Sequence, residues 1–156
     1  MIRYEKFTSA IANSFDDLID DEITMCSFMG MFDFAHAYKY FAQPNTNSDI
    51  INKYAYAVYD DDKPVGFISC ETYSFKKNKI TCQIDPIAVF KDSRRKGYGT
   101  AILNDLKEGK LVEEKLAFIC CILNVENDAG IEFLKKNKFK KGKKIDSDVK
   151  FECKVK

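Results

Sequence analysis

The segment with the strongest chemical signature reads FKDSRRKGYGTAIL and covers residues 90–103. Its three cations stand directly before Gly97 and Gly99, and the apolar spacing that follows predicts a helix. The first amides of a helix have no partner within it and, together with the helix dipole, they attract anions. Glycines leave such amides accessible, and the basic side chains add positive charge. The segment therefore predicts a site for a phosphate or pyrophosphate.

Two better-known phosphate loops do not fit this segment. The dinucleotide-binding fingerprint requires a third glycine where this chain has Ile102, and a Walker loop requires Gly-Lys followed by serine or threonine. Taken alone, the segment also fits a basic turn that uses glycines only for tight geometry. The surrounding elements have to decide between these interpretations.

Other reactive residue types offer few alternatives. His36 is the only histidine, so a zinc site or a histidine-based triad would have to be built around it, and no metal is predicted. None of the six cysteines forms a C-x-x-C pair, and most lie within apolar runs. We therefore expect buried thiols in a reducing compartment rather than disulfides.

The beginning of the chain predicts one strand and two helices. Residues 1–7 alternate as a strand does, and Ser9 or Ser14 is expected to cap the helix that follows. A second helix is predicted over residues 29–41, where apolar and aromatic side chains cover more than one face. Much of this second helix should be buried or should line a pocket.

The rest of the chain predicts a mixed order of strands and helices. The β-prone runs YAYAVY and VGFISCETY flank the turn DDDKP, which indicates a hairpin. The run ITCQIDPIAVF predicts a third long strand, with an irregularity near Asp85 and Pro86 because proline cannot donate to a ladder. LAFICCIL predicts a strand covered on both faces, residues 127–137 a helix, and FKKGKKI and VKFECKV two final strands.

Length and composition limit the class of protein. The 156 residues fit one domain, and 46% hydrophobic with 31% charged residues is the usual balance of a folded globular chain. No apolar run is long enough to cross a bilayer, and the charged N-terminus does not resemble a secretory signal. We therefore expect a cytoplasmic protein with no membrane association.

The combination of these motifs resembles a known family. The spacing of Arg94, Gly97 and Gly99 before an amphipathic helix resembles motif A of the GCN5-related N-acetyltransferases (GNAT), written Q/R-x-x-G-x-G/A. The hairpin YAYAVYDDDKPVGFISC resembles their second and third strands, LAFICCILNVEN the fifth, and residues 127–139 motif B. Residues 1–53 match only in general layout.

The resemblance implies an α/β (α+β mixed) fold that forms one GNAT domain over residues 1–156. A mostly antiparallel sheet of six or seven strands would splay between its fourth and fifth strands, with about four flanking helices and acetyl-CoA in the splay. The amides of residues 95–99 and the Thr100 hydroxyl would hold the pyrophosphate, strand residues 87–89 the pantetheine arm and thioester oxygen, and Asn127 the same arm. The implied coenzyme-binding residues are Ile87, Ala88, Val89, Arg94, Arg95, Lys96, Gly97, Tyr98, Gly99, Thr100 and Asn127.

The resemblance leaves the catalytic base open. Amide formation needs a neutral amine, yet a lysine-like amine with a pKa near ~10.4 is protonated at neutral pH. Many family members use a glutamate of the fourth strand as base, and Gln83 occupies that position here. Asp85, two residues on, is the substitute candidate. Asp85 fits equally well as a residue that relieves the kink at Pro86.

The proton donor for the leaving thiolate is also missing from its usual position. Family members commonly use a tyrosine seven residues after the motif B asparagine, and here that position is Leu134. Tyr98 and Tyr73 are the nearby alternatives. Lys138 replaces a glycine that usually precedes Phe139. These departures leave a second function open, namely an acyl-CoA-binding sensor or partner-binding module that has lost turnover.

Charge is distributed unevenly and bears on the partners. Residues 1–62 carry eleven acids and four bases, a net charge of about −7. Since the whole chain has a net charge of +1, residues 63–156 carry about +8. An acidic, aromatic acceptor wall would favour a cationic amine such as a polyamine, an aminoglycoside or a protein amine. The seven lysines of KKNKFKKGKK are expected to form a solvated face, so nucleic acid is not an expected partner. A homodimer is left open.

Overall fold

The computed structural model describes residues 1–16, 49–76 and 78–155. The helix expected over residues 29–41 and most of the acidic N-terminal segment therefore lie outside the described residues. Seven strands and three helices are present in these ranges. The strands are β1 Ile2–Lys6, β2 Ile50–Asp60, β3 Lys63–Lys76, β4 Lys79–Val89, β5 Phe118–Asn124, β6 Lys140–Ile145 and β7 Asp148–Lys154; the helices are α1 Ser9–Asp16, α2 Tyr98–Lys107 and α3 Asp128–Lys136.

All seven strands form one sheet in the order β1-β2-β3-β4-β5-β7-β6. Neighbouring strands are antiparallel except β4 and β5, which run parallel. The predicted hairpin is confirmed as β2 and β3, and the expected mixed, mostly antiparallel fold is confirmed as well. The parallel pair requires a crossover connection, and α2 supplies it between β4 and β5.

Both faces of the sheet are covered in part by helices. On one face, Ile102, Leu103 and Leu106 of α2 are fully buried in the larger hydrophobic cluster. On the other face, α1 contributes Phe15, and the ring centroids of Phe7 and Phe67 lie 4.6 Å apart. The sheet is therefore held between two apolar layers.

Helix α1 begins differently from the expectation. The hydroxyl of Thr8 accepts a hydrogen bond from the Ile11 amide at 3.2 Å, so Thr8 is the capping residue. The prediction of Ser9 or Ser14 as the cap was wrong, because Ser9 already lies in the first turn and Ser14 lies inside the helix. A threonine one position earlier satisfies the same unpaired amide.

The irregularity expected in β4 is confirmed as a β-bulge. Ile68 pairs with Ile87 and Cys70 with Ile84, so Ser69 of β3 stands opposite both Asp85 and Pro86. The buried Ser69 hydroxyl donates to the main-chain carbonyl of Asp85. The bulge therefore accommodates the proline within a long strand without leaving that carbonyl unpaired.

The loop between α2 and β5 is fastened to the sheet through Glu114. Its carboxylate accepts hydrogen bonds from the Tyr54 hydroxyl at 2.7 Å, from the Asn52 amide at 3.2 Å and from the Thr72 hydroxyl. Burial alone would raise the pKa of Glu114, but these donors outweigh it and lower that pKa. Thr72 lies opposite Cys82, where β4 is still paired with β5, so Glu114 closes this end of the sheet.

Five cysteines fall within the described residues, and all five are buried free thiols, as the sequence predicts. Cys26 lies outside those residues. Among the described helices, none is both long and apolar enough to span a membrane.

Candidate active site

A cleft of about 980 Å³ opens where β4 and β5 separate. The two strands pair only over residues 81–84 of β4, after which β4 runs on to Val89 while β5 continues along β7. The diverging strands, the loop after β4, the start of α2 and residues along α3 line the cleft. The splay that the family resemblance implies between the fourth and fifth strands is thus present.

The backbone of β4 presents alternate peptide groups to this cleft. The Phe90 amide donates to the Val65 carbonyl of β3 at 2.9 Å. In an antiparallel strand, the N–H and C=O of one residue point to the same side, and the side alternates from residue to residue. The N–H and C=O of Ala88 therefore also face β3, and those of Ile87 and Val89 face the cleft. Of the three expected strand residues, Ile87 and Val89 therefore direct backbone groups toward the cleft, and the Val89 carbonyl already accepts a hydrogen bond from Arg94.

Arg94 shapes the loop that follows β4. Its guanidinium Nε donates to the Val89 carbonyl at 2.9 Å, and the side chain is half-buried. This bond closes the basic loop against the end of the strand. Arg94 therefore positions the loop backbone, while the exposed Arg95 is the guanidinium that extends from it.

The start of α2 leaves a row of amides available. Gly97 caps the helix in the left-handed conformation, with φ of 86°, and no side chain caps the helix. The first helical bond joins the Ala101 amide to the Gly97 carbonyl at 3.0 Å. Within the described residues, no acceptor occupies the amides of residues 95–100. The helix dipole directs its positive end at the same place.

Gly99 has a packing role that the motif did not predict. A Cβ at this position would lie 3.0 Å from the ring of Phe133 in α3. The second glycine therefore allows α2 and α3 to approach closely beside the cleft. Phe133 itself was not singled out from the sequence, because an aromatic residue on a helix carries no pattern that identifies its partner.

Asn127 begins α3 and borders the cleft. Its Oδ1 accepts a hydrogen bond from the Gly130 amide at 3.0 Å, which fixes the side chain at the helix start. Most of the expected coenzyme-binding residues line the cleft, and Lys96 does not, since it is exposed on the loop outside it. The lining residues among them are Ile87, Ala88, Val89, Arg94, Arg95, Gly97, Tyr98, Gly99, Thr100 and Asn127.

Asp85 is the carboxylate at the point where the strands separate. Its side chain lines the cleft, and no described residue donates a hydrogen bond to that side chain. Partial removal from bulk water, followed by the charge of nearby Glu71, raises the pKa of Asp85. Glu71 pairs with Gln83 in the ladder and so lies diagonally across from Asp85. The prediction missed Glu71, which only the strand register brings to this place.

Gln83 takes part in a buried network instead of lining the cleft. The Tyr73 hydroxyl donates to Gln83 Oε1 at 3.4 Å and lies 3.3 Å from Cys120 Sγ. Burial is the main cause that raises the pKa of Tyr73. Neither Tyr73 nor Gln83 borders the cleft, so the structure does not bring them together with Asp85 at its surface.

The side chain of Tyr98, in the first turn of α2, is fixed by a hydrogen bond to β2. Its hydroxyl donates to the Asp60 carboxylate at the end of β2, and this bond raises the pKa of Tyr98 and lowers that of Asp60. The proton of Tyr98 is thus engaged by Asp60. The contact ties the open amides to the β2–β3 turn across 38 residues of sequence, a link that no local motif reveals.

The two departures in motif B have structural explanations. Leu134 is 1% exposed and packs in the core, so this position holds a core side chain instead of a proton donor. Lys138 adopts the left-handed conformation with φ of 70°. Its amide and that of Phe139 bond to the carbonyls of Lys135 and Leu134, which forms a Schellman motif. A glycine would take this conformation without strain.

Comparisons with known proteins agree with this architecture. The profile of the family described as "Acetyltransferase (GNAT) family" matches residues 21–139. No curated protein sequence matches the chain. Among solved structures, an acetyltransferase from Thermus thermophilus is similar with a TM-score of 0.77 and 12% identity, over 99% of this chain and 97% of that one.

Two similar structures contain coenzyme A. PaiA N-acetyltransferase from Thermoplasma acidophilum, in complex with coenzyme A, has a TM-score of 0.67 and 18% identity over 99% of both chains. Spermidine N-acetyltransferase from Vibrio cholerae, in complex with CoA and spermine, has a TM-score of 0.70 and 10% identity, over 99% of this chain and 95% of that one. At these identities the likeness establishes the fold.

Proposed function

This chain belongs to the GNAT acetyltransferase family, and from that premise we propose that it moves an acetyl group from acetyl-CoA to a primary amine by direct attack in a ternary complex. The observation that carries the proposal is the row of amides at the start of α2 that have no acceptor among the described residues, beside the point where β4 and β5 separate. Such amides at the positive end of a helix form an anion-binding site.

The residues around the cleft fit a coenzyme with a diphosphate and an amide-containing arm. The open amides and Arg95 suit the diphosphate. The backbone N–H and C=O of Ile87 and the backbone N–H of Val89 suit the amides of the pantetheine arm, much as an added strand would pair with them, while the Val89 carbonyl accepts from Arg94. Cationic side chains outnumber acidic ones along the cleft: Lys91, Arg94, Arg95 and Lys136 against Asp85 and Glu132.

Asp85 is the residue that we assign to proton removal. Acetyl-CoA supplies the thioester carbonyl that the amine attacks, with a C–N bond formed and a C–S bond broken. Asp85 accepts the proton that the amine nitrogen loses, directly or through water. Its raised pKa suits this role, since a base works best when its pKa approaches the working pH. The carboxylate lies where the strands separate and has no hydrogen-bond donor among the described residues.

The leaving thiolate does not depend on a tyrosine in this proposal. Leu134 cannot donate, and the hydroxyls of Tyr98 and Tyr73 are engaged by Asp60 and by Gln83 with Cys120. Thiols have a pKa near ~8.5 and are tolerable leaving groups as thiolates. The thiolate therefore departs without an assigned acid, and turnover is slower than with one.

A cationic amine is the acceptor that the local charges favour. Asp85 and Glu71 lie diagonally across two strands, and together they place negative charge beside the splay. The similar Vibrio cholerae protein was crystallised with spermine, which is a polyamine. Buried free thiols suit a reducing compartment, so we place the reaction in the cytoplasm.

Coenzyme binding is tested with a pair of matched glycine variants. Gly97 and Gly109 both have positive φ, and an added Cβ would meet no protein atom within 4 Å at either position. Each alanine substitution should cost about 1–2 kcal/mol of folding stability. Only Gly97→Ala should weaken coenzyme A binding in calorimetry, by about tenfold, since only Gly97 lies among the open amides. Equal coenzyme affinities for the two variants would contradict the proposed site.

Turnover is tested separately by following thiol release from acetyl-CoA with a panel of amines. Release with a polyamine, an aminoglycoside or a peptide amine is the expected result. Saturable coenzyme binding without release from any amine would favour the second candidate, a sensor of acyl-CoA. The absence of coenzyme binding would refute both.

A further inference from the structure

A dense group of lysines surrounds the end of α3 and the strand β6. We call it the lysine surface. Its members are all exposed to solvent and lie within ten consecutive positions: Lys135, Lys136, Lys138, Lys140, Lys141, Lys143 and Lys144. Every residue of β6 is exposed, and β6 is an edge strand that pairs only with β7.

These lysines have no counter-ions among the described residues. None of the seven takes part in a salt bridge or donates a side-chain hydrogen bond. Glu152 stands opposite Lys140 in the ladder, yet the nearest ammonium to it is that of Lys150 at 3.8 Å. By contrast, Lys110 reaches the carboxylates of Asp105 and Glu108 at 3.0 and 2.8 Å. Within the described ranges, the positive charge of the lysine surface is thus not compensated by any carboxylate.

Protection of a sheet edge explains only part of this arrangement. Lysines on an edge strand do discourage pairing with another chain. However, Lys135 and Lys136 belong to α3, and Lys138 lies in the turn before β6. Charge therefore extends past the edge that needs protection, and it reaches the cleft, which Lys136 also lines.

The chemistry of the surface favours a partner that carries a row of phosphates over one that is bound through its bases. Flexible ammonium groups bind phosphates as point charges. The one aromatic residue in this stretch, Phe139, is 3% exposed and cannot stack on a base. Single-stranded nucleic acids are usually bound by exposed aromatic platforms, which this surface lacks. β6 spans about 20 Å, the length of several successive phosphates along a duplex.

We propose that the lysine surface docks the sugar-phosphate backbone of a double-stranded nucleic acid, without reading its bases. This interaction differs from coenzyme binding, because the lysines of β6 do not line the cleft. It also reverses the expectation from the sequence, because the sequence could not show that all seven lysines lack carboxylate partners among the described residues. The affinity should fall steeply with salt, since bound lysines release counter-ions from the duplex.

The test compares two variants that lose the same charge. One carries Lys140→Gln, Lys141→Gln, Lys143→Gln and Lys144→Gln. The control carries Lys6→Gln, Lys63→Gln, Lys110→Gln and Lys115→Gln, all at exposed positions elsewhere. Fluorescence anisotropy with labelled RNA and DNA duplexes of about 20 base pairs is measured from about 50 to about 200 mM salt.

The wild type and the control should bind the duplexes alike, with equal affinity for different base sequences. The β6 variant should bind about tenfold more weakly or worse, with a salt slope reduced by about three to four. Its coenzyme A affinity and melting temperature should match those of the control. A preference for RNA or DNA would identify the natural duplex.

Several results would overturn the proposal. They are a failure of the wild type to bind either duplex, equal loss of binding in both variants, or tighter binding to polyglutamate, to single strands or to anionic phosphatidylserine vesicles. The last outcomes would assign the surface to an acidic protein, to unpaired nucleic acid or to a membrane.

Discussion

Two carboxylates near opposite ends of the β4–β5 pair, Glu114 in the loop before β5 and Asp85 on β4, have opposite environments. Glu114, at the closed end, accepts hydrogen bonds from three side chains, and its pKa is lowered. Asp85, at the splayed end, has no such donor among the described residues, and its pKa is raised. The fold thus uses its polar side chains to fix one acid as an anion and leaves the other able to take up a proton. That division separates a group that stabilises the fold from a group suited to catalysis.

The largest expected effect follows from removing the negative charge of Asp85, where β4 and β5 separate. Asp85→Asn should lower kcat by about 10²–10⁴-fold, as loss of a general base does, with coenzyme A affinity nearly unchanged. Thiol release under saturating amine measures the effect. The matched control is Glu132→Gln, which removes the other carboxylate of the cleft and should leave kcat unaffected. A similar loss in both variants would show that Asp85 acts only through overall charge.

The second test removes the charge at the closed end. Glu114→Gln should lower the free energy of unfolding by about 1–3 kcal/mol, because three donors lose a charged acceptor. Denaturant unfolding measures it, and coenzyme A affinity should not change. Glu113→Gln, at the exposed neighbouring position, serves as the control and should be nearly neutral. A catalytic defect in Glu114→Gln that persists in fully folded protein would break the proposed division.

The pH dependence of stability should differ in sign between the two groups. The pKa of Glu114 is lowered from 4.5, so its contribution is present above 4.5 and is lost as the pH falls through the folded value. The pKa of Asp85 is raised from 3.8 by folding. Its contribution to folding stability is therefore fully present below pH 3.8 and is lost as the pH rises through the pKa of the folded state. Asp85→Asn should therefore be slightly more stable than wild type at neutral pH, with no difference below 3.8. Melting curves over this range measure both trends, and a destabilised Asp85→Asn protein would contradict the sign.

The smallest expected effect concerns the helix beside the cleft. Lys138→Gly should raise the free energy of unfolding by about 1 kcal/mol, because glycine adopts the left-handed conformation without strain. Thermal unfolding measures this gain. Lys140→Gly is the control: it removes a lysine from an ordinary strand position and should be destabilising. An unchanged kcat in Lys138→Gly would show that this strain serves no catalytic purpose.

The sequence predicted the order of the elements in the described residues, and the family resemblance implied the position of the cleft. Alternating runs indicated β2, β3 and β4, and the basic glycine segment indicated the open amides, because both signals lie within a few residues. Pro86 predicted the bulge, because proline lacks the backbone N–H that pairing within a ladder requires.

Sequence patterns did not predict the contacts between residues on different strands and loops. Glu71 and Gln83 are neighbours only through register, and Asp60 meets Tyr98 only because the β2–β3 turn folds over the loop. The segment around Glu114 carries no motif at all, although it closes one end of the sheet. Arg94 was expected to add charge for a phosphate, and its bond to Val89 became evident only from the loop geometry.

The extra residue of the bulge at Asp85 and Pro86 also determines which face of the sheet each later side chain of β4 lies on. Ile84 and Ile87 both face the larger hydrophobic cluster although an odd number of positions separates them. If the same sequence paired regularly, without the bulge, the remainder of β4 would turn over: Ile87 would leave the larger hydrophobic cluster, and the backbone groups of Ile87 and Val89 would face β3 instead of the cleft. A graft of this cleft-lining segment onto another sheet must therefore include Ser69, because its hydroxyl bonds to the carbonyl of Asp85 in the bulge.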